Sequence, residues 1–196
     1  ILKPSEIAEL SNSIFAIINK NLNLMDNQVS SKNIMLKYGV YLAVSSILIN
    51  LVFYATGTLL TLTWALGLIG ILLMVVVLVM GIKKYREING GLLSWGQAVK
   101  IGLGITMVSA IIAVIWSLVF NYIDPTIKEQ AMELQRQTWE NANMTTEQIE
   151  AAEEMTKSLS SPAIESAIQI IASAFFGFII SAIGGAVMKK SEGDEY

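Results

Sequence analysis

Uncharged, mostly aliphatic runs recur four times along the chain, at 38–55, 59–82, 101–123 and 163–188, the last interrupted only by Glu165 near its start. Crossing ~30 Å of hydrocarbon takes about 20 helical residues at ~1.5 Å each, so all four runs have the length of membrane spans. They lack the two-residue alternation of a barrel strand, and solid apolar blocks in lipid satisfy their backbone only as helices. The pattern predicts an all-α polytopic protein with four transmembrane helices at about 38–56, 59–82, 97–123 and 163–188. Its first partner is therefore the lipid bilayer. Tyr38 and Tyr41 at the start of the first helix, Tyr54 at its end, Trp95 before the third and Tyr122 at its end fit an interfacial aromatic belt.

Between the third and fourth runs the chain turns polar. Asp124-Pro125 reads as a helix start, with Asp accepting from free N–H groups and Pro at a position that needs no donor. Ile127, Ala131 and Leu134 then recur at helical spacing. After Asn141-Ala142-Asn143, the run Thr145-Thr146-Glu147-Gln148 is a capping-box pattern, with Met144 and Ile149 placed as a hydrophobic staple. Ile149, Ala152, Met155 and Leu159 mark one face of a second arm, which ends at Ser160-Ser161-Pro162. The segment is thus read as an extracytoplasmic helical hairpin over about 125–160, within 124–162. It serves either as a docking surface for a protein partner or as a solvated connection. In the loop between the second and third helices, Gly90-Gly91 marks a turn and Ser94 with Gln97 forms another capping box, so the third helix starts near Trp95. No GxxxxGK[ST] pattern is present, so these glycines do not read as a phosphate loop.

Residues 5–22 follow an amphipathic helical pattern through Ile7, Leu10, Ile14 and Ile17. They lack the continuous apolar core of a signal peptide. Residues 1–30 are read as an N-terminal amphipathic or upstream segment, with Met25 as a natural start and 1–24 as an extension. The four-helix domain then occupies 31–190 and a polar tail 191–196.

The few charges are sorted. Lys32 and Lys37 precede the first span, Lys83, Lys84, Arg86 and Lys100 stand with a single Glu87 between the second and third, and Lys189 and Lys190 follow the fourth. The segment 124–162 carries three basic against eight acidic residues. Positive loops stay cytoplasmic, which predicts both termini inside and the hairpin outside.

Composition narrows the function. The chain is 54% hydrophobic and 15% charged, with neither His nor Cys. The commonest general base, thiol nucleophiles and the usual zinc ligands are thereby missing, so no enzyme, catalytic residue, metal or cofactor is expected. A net charge of −3 argues against nucleic acid as a partner.

Three sets of residues inside the spans are candidates for a role. Ser173, Gly177, Ser181 and Gly185 follow at intervals of four, a small-residue ridge that admits a second backbone. Its counterpart is Gly102, Thr106 and Ala110 of the third helix, the preferred reading, or the same ridge on a second copy in a homo-oligomer. Asn50, Gln169 and Thr106, together with Ser45, Ser46, Ser109 and Ser117, either line a polar path or hydrogen-bond between helices. Glu165 is the one ionisable residue inside a span, but its place in the first helical turn favours a structural role at the helix dipole.

Taken together, Lys32-Asn33-Ile34-Met35-Leu36-Lys37-Tyr38-Gly39, Gly81-Ile82-Lys83-Lys84-Tyr85-Arg86, Ser94-Trp95-Gly96-Gln97-Ala98 and Tyr122-Ile123-Asp124-Pro125 resemble a bacterial membrane family. That family is the domain of unknown function numbered forty-one ninety-nine, and the likeness spans about 32–190. The resemblance implies a four-helix protein of the cytoplasmic membrane of Gram-negative, Bacteroidetes-type bacteria. It implies no activity and no catalytic residues. The leading expectation is a non-enzymatic scaffold or accessory subunit of a membrane assembly. The alternative is a small channel or transporter subunit with a path lined by Asn50, Thr106, Gln169 and Glu165.

Overall fold

The structure, a computed structural model, describes residues 31–190. The amphipathic reading of 5–22, the start at Met25 and the polar tail 191–196 lie outside these described residues. Within them the chain forms six helices: α1 (Ser31–Ala55), α2 (Thr63–Ile88), α3 (Trp95–Ile123), α4 (Thr126–Asn141), α5 (Thr146–Leu159) and α6 (Pro162–Met188). Four of them, α1, α2, α3 and α6, are long and apolar enough to cross a membrane.

The span limits move where local chemistry outweighs hydropathy. α2 starts at Thr63, not at 59, because the chain turns first. Gly57 takes a φ of +69°, and the Thr56 hydroxyl bonds back to the carbonyls of Val52 and Phe53. Leu59 and Leu60 are apolar residues of that turn. At its other end α2 runs to Ile88, since Lys83, Lys84, Arg86 and Glu87 are good helix formers and Lys84 pairs with Glu87 at 3.0 Å. α1 is already helical at Ser31.

α3 is the central helix. Among α2 to α6 its packing against α6 is the most extensive, and it also touches α2. α1 approaches it through two glycines: a Cβ added at Gly39 would lie 2.6 Å from Val108 Cβ, and one at Gly104 would overlap Met35. The buried core includes Ile34 and Leu42 of α1, Leu78 and Ile82 of α2, Ala98, Ile101 and Ile105 of α3, and Leu93. Nearly all of it lies toward the basic end of the bundle. Outward, Leu72, Val76, Ile171, Phe175, Ile183 and Val187 are exposed. A surface this apolar, on helices that satisfy their own backbones, belongs in lipid: the protein is a multi-pass membrane protein.

Each end of the bundle is tied differently. At the basic end Gly90 and Gly91 turn the chain with φ of +67° and +83°, a region only glycine enters cheaply. Arg86 Nε donates to Gly91 O at 2.9 Å. Leu93 and Lys190 then exchange backbone hydrogen bonds of 3.1 and 3.0 Å, and Trp95 Nε1 donates to Ala182 O at 3.0 Å. These contacts clamp the start of α3 to the end of α6. Ser94 and Gln97 complete the capping box expected there.

At the acidic end, α4 and α5 form the expected hairpin, with Asn143 at φ +57° in the turn and the Thr145/Gln148 capping box opening α5. The hairpin has almost no core: α4 has no buried residue and α5 only Ile149.

Candidate functional site

Along the α3–α6 seam, Gly102 faces Ser181, Gly177 faces Thr106 and Gly185 faces Ala98. A Cβ added at Gly102 or Gly177 would overlap the opposing side chain, and one at Gly185 would lie 2.8 Å from Ala98 Cβ. The two hydroxyls in the seam turn back on their own helices: Thr106 Oγ1 donates to Gly102 O and Leu103 O, and Ser181 Oγ to Gly177 O. Thr106 and Ser181 are therefore buried without an unsatisfied donor, and no room is left for solvent between them.

Toward the acidic end the packing opens. A cleft of about 260 Å³ lies among α1, α3 and α6, and it brings together Asn50, Gln169, Ser46 and Ser117 with Trp116 and Phe120. Trp116 Nε1 is buried and has no hydrogen-bond partner. The side chains of Ser46, Asn50, Ser117 and Gln169 likewise make no hydrogen bond among the described residues. Four polar side chains without hydrogen bonds thus line one space, beside an aromatic wall in which the Trp116 and Phe120 rings stand 5.7 Å apart.

Beyond the cleft a latch ties the end of α1 to the end of α3. Tyr54 packs edge-on to Phe120 at 5.1 Å and donates its hydroxyl to Asp124 Oδ2 at 2.8 Å. Asp124 Oδ1 accepts from Thr126 Oγ1 at 2.6 Å and from Thr126 N at 3.1 Å. The hydrogen bonds from Thr126 and Tyr54 favour the carboxylate and hold Asp124 below the ordinary Asp value. One turn beyond the latch, Lys128 Nζ donates to Ser160 O and to Glu165 Oε1, both at 2.7 Å. That pair joins α4 to the start of α6. Glu165 is accordingly occupied at the base of the hairpin, four residues from Gln169 and apart from the cleft lining.

The structure therefore divides the polar candidates three ways: Asn50 and Gln169 in the cleft, Thr106 in the helix seam, Glu165 in an ion pair with Lys128. The sequence reading passed over Trp116, Tyr54 as a hydrogen-bond donor and Lys128. Trp116 left a trace, being an indole N–H in the middle of an uncharged run where no water is at hand to accept from it. The partners of Tyr54 and Lys128 lie 70 and 37 residues away and left none.

Neither a curated protein nor a solved structure matches the chain. A family model does match, over residues 37–190, and its description is "Protein of unknown function (DUF4199)". Four apolar helices and a family match that reaches into all four of them agree: the chain belongs to the DUF4199 family of proteins of unknown function.

Proposed function

We propose that the protein is a non-enzymatic accessory subunit of a membrane assembly, with the α4–α5 hairpin as its docking arm for a basic face of a partner protein. The observation that carries this is the hairpin itself. Two helices with a single buried residue between them gain little from each other, yet the arm is held to the bundle at its base by Lys128–Glu165 and Tyr54–Asp124. It leaves Leu134, Met155 and Leu159 exposed on a strongly acidic surface. Apolar contacts ringed by one sign of charge suit a complementary, positively charged partner. A photo-crosslinker placed at Met155, followed by mild native extraction, is expected to trap a partner whose yield falls with added salt. The charge reversal Glu147→Lys/Glu150→Lys/Glu154→Lys should abolish the adduct. An uncrosslinked monomer, or an adduct indifferent to both salt and charge reversal, would overturn the reading.

The same reading places the chain in a bacterial cytoplasmic membrane with both termini cytoplasmic and the hairpin outside. The sorted charges support it: basic residues flank the packed end and acidic ones the hairpin. Since the chain has no Cys of its own, Asn143→Cys and Lys84→Cys serve as clean probes. A membrane-impermeant maleimide should label Cys at the first position in intact cells and at the second only after lysis. The reverse pattern would refute the orientation. A channel or transporter role draws less support, because Thr106 and Glu165 are engaged away from the cleft that holds Asn50 and Gln169.

A further inference from the structure

We infer that the cleft among α1, α3 and α6 is a binding site for an acylglycerol ester, the neutral, carbonyl-bearing backbone of a lipid. Three observations lead there. First, the cleft is lined by amides and hydroxyls without partners. Trp116 Nε1 is buried and unpaired, and the amides of Asn50 and Gln169 and the hydroxyls of Ser46 and Ser117 make no bond among the described residues. The amide and hydroxyl groups that line the cleft can each donate to an acceptor oxygen of an occupant. A donor left unmade in a low-dielectric setting is costly, and an occupant that accepts from it recovers that cost.

Second, no charged residue lines the cleft. Glu165 stands one turn from Gln169, but Lys128 engages it. An ion entering here would meet no opposite charge to offset its lost hydration, whereas ester and hydroxyl oxygens need only the neutral polar groups present. The Trp116 and Phe120 rings add an apolar wall suited to the methylenes beside an ester.

Third, the depth is right. Asn50 lies five residues before the end of α1 and Gln169 seven after the start of α6, which at ~1.5 Å per residue is roughly 8–10 Å below the helix ends. Helices of 25 and 27 residues match the full ~40 Å of a bilayer with its headgroups, and each headgroup zone is about 5–7 Å deep. The cleft therefore lies at the depth of the boundary between headgroup and acyl chain, the level of glycerol esters. At about 260 Å³ it holds a glycerol backbone with its ester groups, with the chains left to run down the bundle.

The test uses the whole chain, delipidated in detergent, with bound lipid read by native mass spectrometry. A two-chain diester phosphatidylglycerol is expected to be retained, and its dialkyl ether analogue, which lacks the carbonyls, to bind about tenfold more weakly. This comparison leaves the protein unaltered. The variant Asn50→Leu/Gln169→Leu should weaken diester binding by a similar factor without changing ether binding. Monooleoylglycerol separates the sources: binding as tight as that of the phospholipid assigns a free acylglycerol, and binding of the two-chain lipid alone assigns a resident membrane lipid. Equal retention of diester and diether, or diester binding unmoved by the double substitution, would overturn the assignment.

Discussion

Gly102→Ala is expected to unseat α6 from α3 and to cost roughly 3 kcal/mol, read as a lower SDS fraction at the unfolding midpoint. The added methyl would fall inside the side chain of Ser181, which is itself wholly buried. Two effects oppose each other. Alanine favours a helix over glycine by about 1 kcal/mol, and overlap in a packed seam costs about 1–3 kcal/mol, more where the backbone cannot yield. Here it cannot yield: Gly177 and Gly185 hold the same two helices together one turn away on either side, and the Leu93–Lys190 bridge pins their ends. Overlap wins. Gly96→Ala supplies the control, since a Cβ there meets nothing within 4 Å and only the helix-propensity gain remains. The swap Gly102→Ala/Ser181→Gly returns the missing volume and should recover most of the loss, a coupling of about 2 kcal/mol between two residues in contact. A Gly102→Ala protein as stable as the parent would show that the two helices do not meet at this point in the membrane.

The seam and the cleft were legible in the sequence to different degrees. Ser173, Gly177, Ser181 and Gly185 stand out because an interval of four keeps them on one helical face and because small residues are conspicuous among Phe and Ile. The same logic singled out Gly102 and Thr106. It missed Gly39, Gly81 and Gly104, which admit Val108, Ile105 and Met35, because each stands alone on its face and isolated glycines form no period. The capping boxes at Ser94/Gln97 and Thr145/Gln148 were readable since their chemistry closes within three residues. The Tyr54–Asp124 latch and the Lys128–Glu165 pair were not, because a contact across 70 or 37 residues depends on how the helices are arranged and leaves no local pattern. Hydropathy marks spans, not helix ends: it took in Leu59 and Leu60, which belong to a turn, and it ended at Ile82 where the helix itself continues to Ile88.

The site that the apolar pattern concealed most completely is Leu93, and replacing it with alanine is expected to cost about 3 kcal/mol, within the range of about 2–5 kcal/mol for a buried leucine. Between Gly91 and Ser94 the residue reads as loop, yet none of its surface is exposed and it belongs to the central cluster with Ile82, Ala98 and Ile101. Its position decides the size of the effect. Inside lipid, trading one apolar neighbour for another gains little, so an outward residue such as Leu72, which is 64% exposed, should tolerate Leu72→Ala within about 0.5 kcal/mol. Leu93 instead lies beyond the last turn of α2, paired with Lys190 at the charged end of the bundle, where water is expected to compete for every uncovered surface and the hydrophobic effect to act in full. The void left by Leu93→Ala would also loosen the paired backbone bonds between Leu93 and Lys190 that close the bundle at this end. The two variants can be compared in the same detergent by SDS titration and by amide hydrogen exchange at Lys190, where only Leu93→Ala should speed exchange. Equal and small effects from Leu93→Ala and Leu72→Ala would mean that the basic end of the bundle is closed by its hydrogen bonds alone.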